Sequence, residues 1–517
     1  MKYLSYKILA LCLALVSLVS CNKVIDLYPT SNLNTGTYYT TIPEVQAGLT
    51  GCYNGLQKTM NSEWQFTELR SDNTKQGLAA STSSVNRELS DLDMFIPATT
   101  HAAIQTYWLA SYNNIRNANI ILQRLGVSYD PAAGTINLGK IDIPMPDSVR
   151  RKLAGEALFI RGYHYFNLVR LFGGVFAVHT PTSPAEAKTI NRSSVADCYK
   201  LITADLVAAS AYINTPTFSK IAAADKGKAS SWAAKGLLAK VYLTLNRKSD
   251  AIPLLQDVIT NSGHALQSTY ASVFSIANEV NSEILFTVRY KAGGLGLGTS
   301  FGNDFAALNS GSTIINGSGR GWNTPTAELD TVFVATDARK AVCMAAYGTS
   351  ATPTLYVKKF LNPVVLTDDG EADAPVLRYS DILLMLAEAQ GFTPASITLI
   401  NQVRARTTLG NLPATVNSVA IFEQALADER RFEFAFENQR WFDLLRFNTT
   451  MTTIKIETVI KNHFAREYLK HYATYPAPIL TLLQLQGNLT TDHLLLPIPQ
   501  RELDTNTQLA IAQNPGY

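Results

Sequence analysis

The chain has 517 residues, of which 16% are charged, and a formal net charge of +3 at neutral pH. No basic block or long acidic tract interrupts it, which excludes a nucleic-acid surface built on cationic charge. The length allows a large core and up to three domains, while abundant Asn, Ser, Thr, Tyr and Ala suit uncharged polar ligands.

At the N-terminus, Lys2 and Lys7 accompany an apolar run at 8–19, closed by Leu18-Val19-Ser20-Cys21. That is the layout of a secretory signal, and the run is shorter than the roughly 20 residues of a membrane span. The closing residues resemble a bacterial lipobox, in which residues 1–20 are removed and Cys21 is lipidated. An ordinary signal with a chance cysteine is the other reading. The two lysines carry two of the three net positive charges, so the mature body is close to neutral. Residues 21–42, with Pro29 and Gly36, read as a lipidated tether. Cys52, Cys198 and Cys343 are far apart and lack C-x-x-C spacing. They read as small buried hydrophobes rather than as disulfide partners or zinc ligands.

Helical periodicity then dominates. Helices are expected at 43–60, 101–125, 148–172, 193–213, 229–245 and 250–260. In the second, Ile104, Trp108, Tyr112, Ile115, Asn119 and Leu122 form one stripe. Gly173-Gly174 supplies a stop for the third. In the fifth, large and small residues recur at helical spacing from Trp232 to Tyr242, which resembles the first helix of a tetratricopeptide repeat. Glu283 to Tyr290 reads as a short strand. The stretch 291–321 holds nine glycines and no helical pattern, so it reads as a functional loop. Further helices are expected at 378–390, 394–406 and 418–447.

Two clusters invite chemistry. Glu429, Glu433 and Glu437 lie four apart, and paired carboxylates can divide acid and base roles. Arg430, Arg431, Arg440 and Arg446 are interleaved with them and hold them ionised. Structural ion pairing is therefore expected, with Glu437–Arg440 and Arg440–Asp443 at helical pairing distance. The run from Thr367 to Asp373 carries oxygen ligands suited to calcium but lacks EF-hand spacing, so a solvated acidic loop is the competing reading. His164 reads as core, and the other histidines are isolated. There is no G-x-S-x-G elbow and no P-loop.

Several blocks resemble the SusD/RagB family of Bacteroidota surface lipoproteins. They are Arg378-Tyr-Ser-Asp-Ile-Leu-Leu-Met-Leu-Ala-Glu-Ala389, Asn401-Gln-Val-Arg-Ala-Arg406 and Glu429-Arg-Arg-Phe-Glu-Phe-Ala-Phe-Glu-Asn-Gln-Arg-Trp-Phe-Asp-Leu-Leu-Arg446. Ala154-Gly-Glu-Ala-Leu-Phe-Ile-Arg-Gly-Tyr-His-Tyr-Phe166, Arg170-Leu-Phe-Gly-Gly174 and Gln513-Asn-Pro-Gly-Tyr517 complete the set in the family's order. The resemblance implies a mainly α fold, with four tetratricopeptide-like helix pairs carrying an irregular loop-rich face. The domain would span residues 43–517: an N-terminal part at 43–270, a loop-rich insert at about 271–375 and a C-terminal helical part at 376–517. It also implies a non-catalytic, lipid-anchored protein of the outer membrane, facing the cell surface. That protein would bind a glycan or oligosaccharide and act as a lid on a SusC-like TonB-dependent barrel. No cofactor is expected, apart from a possible structural calcium. The alternatives are peptide capture, a surface glycoside hydrolase, which needs two facing carboxylates, and a structural lipoprotein that stabilises the barrel.

Sugar rings offer apolar faces to aromatic side chains and hydroxyls to polar ones. Two segments supply both. One contains Arg70, Asp72 and Asn73; the other contains Tyr290, Phe301, Asp304, Arg320, Trp322 and Asn323. Trp322 is the first choice because Gly319 and Gly321 flank it, and packing before Pro325 is its competing role. Trp108, Trp232 and Trp441 are expected in the core.

Overall fold

The computed structural model describes residues 38–78, 81, 83–349, 353–475, 479–506 and 508–517. The signal, Cys21 and most of the tether lie outside the described residues. The longer helices are α1 (Ile42–Thr67), α2 (Ser84–Asp93), α3 (Ala102–Arg124), α4 (Asp147–Phe172), α5 (Val195–Tyr212) and α6 (Ser231–Thr244). They continue with α7 (Lys248–Asn261), α8 (Tyr379–Gln390), α9 (Pro394–Arg404), α10 (Val419–Glu433), α11 (Arg440–Thr450) and α12 (Ile456–Glu467). The strands are β1 (Thr74–Lys75), β2 (Val127–Asp130), β3 (Thr135–Leu138) and β4 (Ile284–Val288). After them come β5 (Thr324–Pro325), β6 (Met344–Tyr347), β7 (Thr354–Val357) and β8 (Ala374–Arg378).

Local chemistry sets the helix ends. Thr41 and Glu44 close a capping box at the start of α1, and Pro43 sits in its first turn, where its missing N–H costs nothing. Helix α4 is buried on every side from Leu153 to Val169, which makes it the axis of the N-terminal half. It ends where Gly173 takes a positive φ of 72°. Along the stack α1 packs on α3, α3 on α4, α4 on α5, α5 on α6, and α6 on α7. Helix α8 then docks on α7, and α9 on α8. The pairs α1/α3, α4/α5, α6/α7 and α8/α9 are the four expected helix pairs, and the fold is mainly α. On α6 the small residues allow close approach: a Cβ at Gly236 would lie 2.7 Å from the Leu377 side chain.

The chain leaves the stack after α7 and returns to it through β8. Strands β4 and β8 pair antiparallel, so the loop-rich insert begins and ends in one ladder. Trp108, Trp232 and Trp441 are buried, as are the free thiols of Cys52, Cys198 and Cys343. Burial pushes the Cys52 thiol up to about 12.

One helix expected at 418–447 is two. Helix α10 stops at Glu433 and α11 begins at Arg440, with Phe436 and Asn438 at φ 66° and 60° between them. The break serves ion pairing. Arg378, 1% exposed, donates to Glu283 Oε1 at 2.6 Å, Glu433 Oε1 at 2.8 Å and Glu437 Oε2 at 2.8 Å. Lys359 reaches Glu437 at 2.8 Å, and Arg406 reaches Glu433 at 2.6 Å. Arg339 joins Glu429 at 2.6 Å. Ion pairing is therefore the role of this block, but with other partners than the local spacing suggested. Glu437 takes Arg378 and Lys359, Arg440 takes Asp72, and Asp443 takes Arg430 and Arg446.

Burial alone would raise the Glu433 carboxyl, but Arg406, Arg378 and Arg339 overcome it and hold it well below its ordinary value of 4.5. Asp381 is likewise held low by Lys240 and Arg430 against burial. Such groups stabilise the fold fully above their unfolded pKa and lose that contribution as pH falls through the lowered one. Glu63 and Glu68 run the other way. Burial lifts each to about 7, so their cost is absent below about 4.5 and complete above about 7. The thermal midpoint is expected to peak near about pH 4.5–5, to fall below it as Glu433 and Asp381 protonate, and to decline from there to about pH 7 as Glu63 and Glu68 ionise, which calorimetry over pH 3–9 checks. Arg378→Met should cost about 3–5 kcal/mol in urea titrations at pH 7.5, and visibly less at pH 4.5, where the stranded carboxylates can protonate.

Candidate ligand-binding face

The two segments singled out for ligand contact lie side by side. Strand β1 pairs antiparallel with β5, with Thr74 opposite Pro325 and Lys75 opposite Thr324. The Gly77 N–H donates to the Gly321 carbonyl at 3.0 Å, and the Thr326 N–H to that of Asn73 at 3.0 Å. A Cβ at Gly77 would lie 2.2 Å from the Gly321 oxygen, so only glycine allows this approach.

Arg70, Asp72 and Asn73 do not face solvent; they are 1%, 2% and 0% exposed. The Arg70 guanidinium lies 4.3 Å from the Trp441 ring centre and donates to the carbonyls of His493 and Leu494. Arg440 clasps Asp72 through two bonds of 2.7 and 2.9 Å. Burial raises the Asp72 carboxyl, but Arg431 and Arg440 outweigh it and leave it well below 3.8. Asn73 accepts from Arg431 at 2.9 Å. These three side chains anchor the ladder to α10 and α11. The loop they lead into exposes Gly77 and leaves Leu78 and Ser81 partly open.

In the glycine-rich stretch the six candidates also divide. Tyr290 and Phe301 are buried, with ring centres 5.9 Å apart, and Phe301 stacks on Phe305 at 5.3 Å. They pack the base of the loop and are not platforms. The spacing of Phe301 and Phe305 is the sequence sign of the helical turn that carries both. Asp304 is buried between Ser300, at 2.6 Å, and Arg320, at 2.6 Å. Burial pushes its carboxyl up to about 6 against both partners. Arg320 also makes two bonds to Asp368. Its guanidinium sits 5.1 Å from the ring centre of Trp322, which is half-buried. Asn323 is fully buried, and neither atom of its amide finds a partner among the described residues. Arg320 and Trp322 are therefore the two candidates with side-chain surface to offer.

The acidic run has a structural task. Asp368 holds Arg320, Asp369 accepts the N–H groups of Gly293 and Gly294 at 2.7 and 2.9 Å, and Glu371 holds Lys291. Asp373 holds Arg289 at 2.9 Å. Asp368, Asp369 and Glu371 pin three points of the glycine-rich loop, and Asp373 holds the residue just after β4 that leads into it. Among the described residues no three His, Cys, Asp or Glu are grouped to share a cation.

A groove of about 440 Å³ opens along the β1–β5 ladder, lined by Lys75, Gly77, Leu78, Ser81, Thr324 and Pro325. Its far wall comes from Thr354, Leu355, Lys470, His471 and Thr474. Reasoning along the sequence missed that wall, because it is assembled from segments distant in the chain and carries no local pattern. Trp322 precedes the groove-lining Thr324 by two residues. Lys75 is neutralised by Glu467 at 2.9 Å. The result is a groove of mixed character, in which hydroxyls of Ser81, Thr324, Thr354 and Thr474 alternate with Leu78, Pro325 and Leu355, at the end of the segment that carries Trp322. Arg320→Met should free the loop at 291–321, which is then cleaved by added protease at least roughly tenfold faster. The thermal midpoint should move by less than about 3 °C, since the helical stack is untouched.

Two family models match the chain: one described as SusD family over residues 339–517, the other as starch-binding and associating with the outer membrane over residues 25–243. SusD-like protein P2 of Formosa agariphila is 25% identical, covering 99% of both chains. A SusD-like protein of Bacteroides ovatus is 22% identical over 98% of this chain and 97% of its own. Among solved structures, a laminarin-binding SusD-like protein superposes with a TM-score of 0.72 at 24% identity, over 93% of this chain and all of its own. Surface glycan-binding protein A of Bacteroides thetaiotaomicron, solved with laminarihexaose, gives 0.69 at 16% identity, over 92% of this chain and 100% of its own. With both halves matched by models of one family, and the family's helical scaffold present throughout, the chain belongs to the SusD/RagB family.

Proposed function

We propose that this protein is a cell-surface glycan-binding lipoprotein, anchored through Cys21, which captures neutral oligosaccharides and delivers them as a lid to a SusC-like TonB-dependent barrel. The observation that carries the reading is the convergence of two distant loops at the β1–β5 ladder, where a groove lined by hydroxyl and apolar side chains opens at the strand that follows half-buried Trp322. A half-buried aromatic side chain on the segment leading into a groove of hydroxyl and apolar groups suits a sugar ring, whose C–H face stacks while its hydroxyls bond. The family description, starch-binding and associating with the outer membrane, supports both ligand class and location. The laminarin and laminarihexaose named for two structural neighbours make β-glucans the first ligands to try. Among the described residues no helix is long and apolar enough to cross a membrane, so a lipid on Cys21 would provide the attachment. Binding without catalysis is supported by the state of the most conspicuous acids: Glu429, Glu433 and Glu437 are buried and clasped by cations.

Calorimetric titration of the body lacking Cys21 against laminari-oligosaccharides, other neutral glycans and short peptides tests this. Saturable binding to one glycan class is expected. Trp322→Ala should weaken it about tenfold, or roughly 1.4 kcal/mol, the upper range of one aromatic contact. Binding to peptides alone would overturn the reading.

A further inference from the structure

A second concavity shares no lining residue with the groove. It occupies about 700 Å³ between α1, α4, β4 and the start of the glycine-rich loop, within the range of about 300–1,000 Å³ typical of ligand pockets. The buried side chains of Leu49, Leu153 and Val288 make its floor apolar. Tyr53 of α1 stands in its wall, held from two sides: its hydroxyl donates to Glu156 of α4 at 2.7 Å and accepts from the Ala229 N–H at 3.1 Å. With the hydroxyl bound in this way, what the cleft meets is a ring fixed in one orientation. Such a ring stacks without first losing rotamer freedom.

Two further observations specify what would fill the space. Thr287 of β4 lines the cleft and is 3% exposed, yet its hydroxyl finds no partner among the described residues. A buried hydroxyl left unpaired is costly, so a ligand hydroxyl or carbonyl reaching the floor would be favoured. The rim carries four cations, and four acids face them once Glu156, which Lys152 and Lys228 both influence, is counted with Asp225, Asp373 and Glu371. Lys152 and Lys228 share Asp225 at 2.7 and 3.3 Å, Arg289 holds Asp373 at 2.9 Å, and Lys291 holds Glu371. No surplus charge calls for an ionic ligand. From the fixed ring, the apolar floor, the unpaired hydroxyl and the neutral rim, we infer that this cleft is a second site for a neutral oligosaccharide, with Tyr53 as its stacking platform. The inference rests on the glycan-binding reading above.

The test uses whichever oligosaccharide the calorimetric panel identifies, titrated at three and six sugar units. Thr50 and Gln46 line the cleft from exposed positions on α1, so Thr50→Trp and Gln46→Trp fill it without entering the core, and each guards against local misfolding of the other. Two sites per chain are expected in the parent protein. Either tryptophan variant should weaken one of them at least roughly tenfold and leave intact the one that Trp322→Ala weakens. Binding at a single site, lost in Trp322→Ala and unchanged in both cleft variants, would overturn the second site while sparing the function. Peptide binding lost in the cleft variants would overturn the ligand class assigned to the cleft. Silence toward every glycan in the panel would overturn the underlying reading, and this inference with it.

Discussion

Arg378 is the point on which the rest of the molecule turns. It stands at the end of β8, where the chain re-enters the helical stack, and its guanidinium is shared among Glu283, Glu433 and Glu437. Those acids come from the residue before β4, the end of α10 and the turn into α11. An unpaired guanidinium in this interior would be prohibitively unfavourable, and so would three unpaired carboxylates. The cluster therefore forms as a whole or not at all. A well-packed hydrophobic cluster of the same volume could match it in stability. The planar, five-donor fork adds direction: it accepts its partners only from set angles. That constraint locks the ends of the insert together and holds the turn at 434–439 in place, with Phe436 at a positive φ that a phenylalanine rarely adopts.

This dependence explains what could and could not be read along the chain. The helical pairs were legible because burial on one face leaves a 3.6-residue period, and stripes such as that from Ile104 to Leu122 mark it directly. The ionic role of the block from Glu429 to Arg446 was legible because arginines alternate with acids. Its pairings were not. Arg440 takes Asp72, which lies 368 residues away, and no local spacing encodes such a choice. The same tertiary pairing explains the misreading of Arg70, Asp72 and Asn73. A polar run after a helix ordinarily marks a solvated loop, but here it supplies counter-charges and amides for arginines at the other end of the chain. The break after Glu433 was equally hidden, since Phe-Ala-Phe reads as helix until Glu437 is required by Arg378 and Lys359.

On the loop face the outcome was mixed for a related reason. Aromatic residues among glycines look exposed, because glycine leaves nothing to cover them. Tyr290 and Phe301 instead cover one another and Phe305, making a small core under the loop. Trp322 packs against the core with one part of its ring and keeps the rest partly open, with the Arg320 guanidinium 5.1 Å from its centre. Legibility ends where a side chain's surroundings are built from distant segments.

The acidic run at 368–373 shows how such a loop stays shaped without a sequence pattern of its own. At one end Asp368 fixes Arg320 behind Trp322; at the other, Glu371 and Asp373 fix Lys291 and Arg289 on the rim of the cleft. Between them Asp369 takes two glycine N–H groups that would otherwise need water or a ligand. The loop's own residues are thereby relieved of holding its conformation. Glycines can occupy positions that require their backbone freedom, and the few large side chains are left for contact. The groove and the cleft are thus set in one fixed relation by a six-residue stretch, itself anchored through β8 to Arg378.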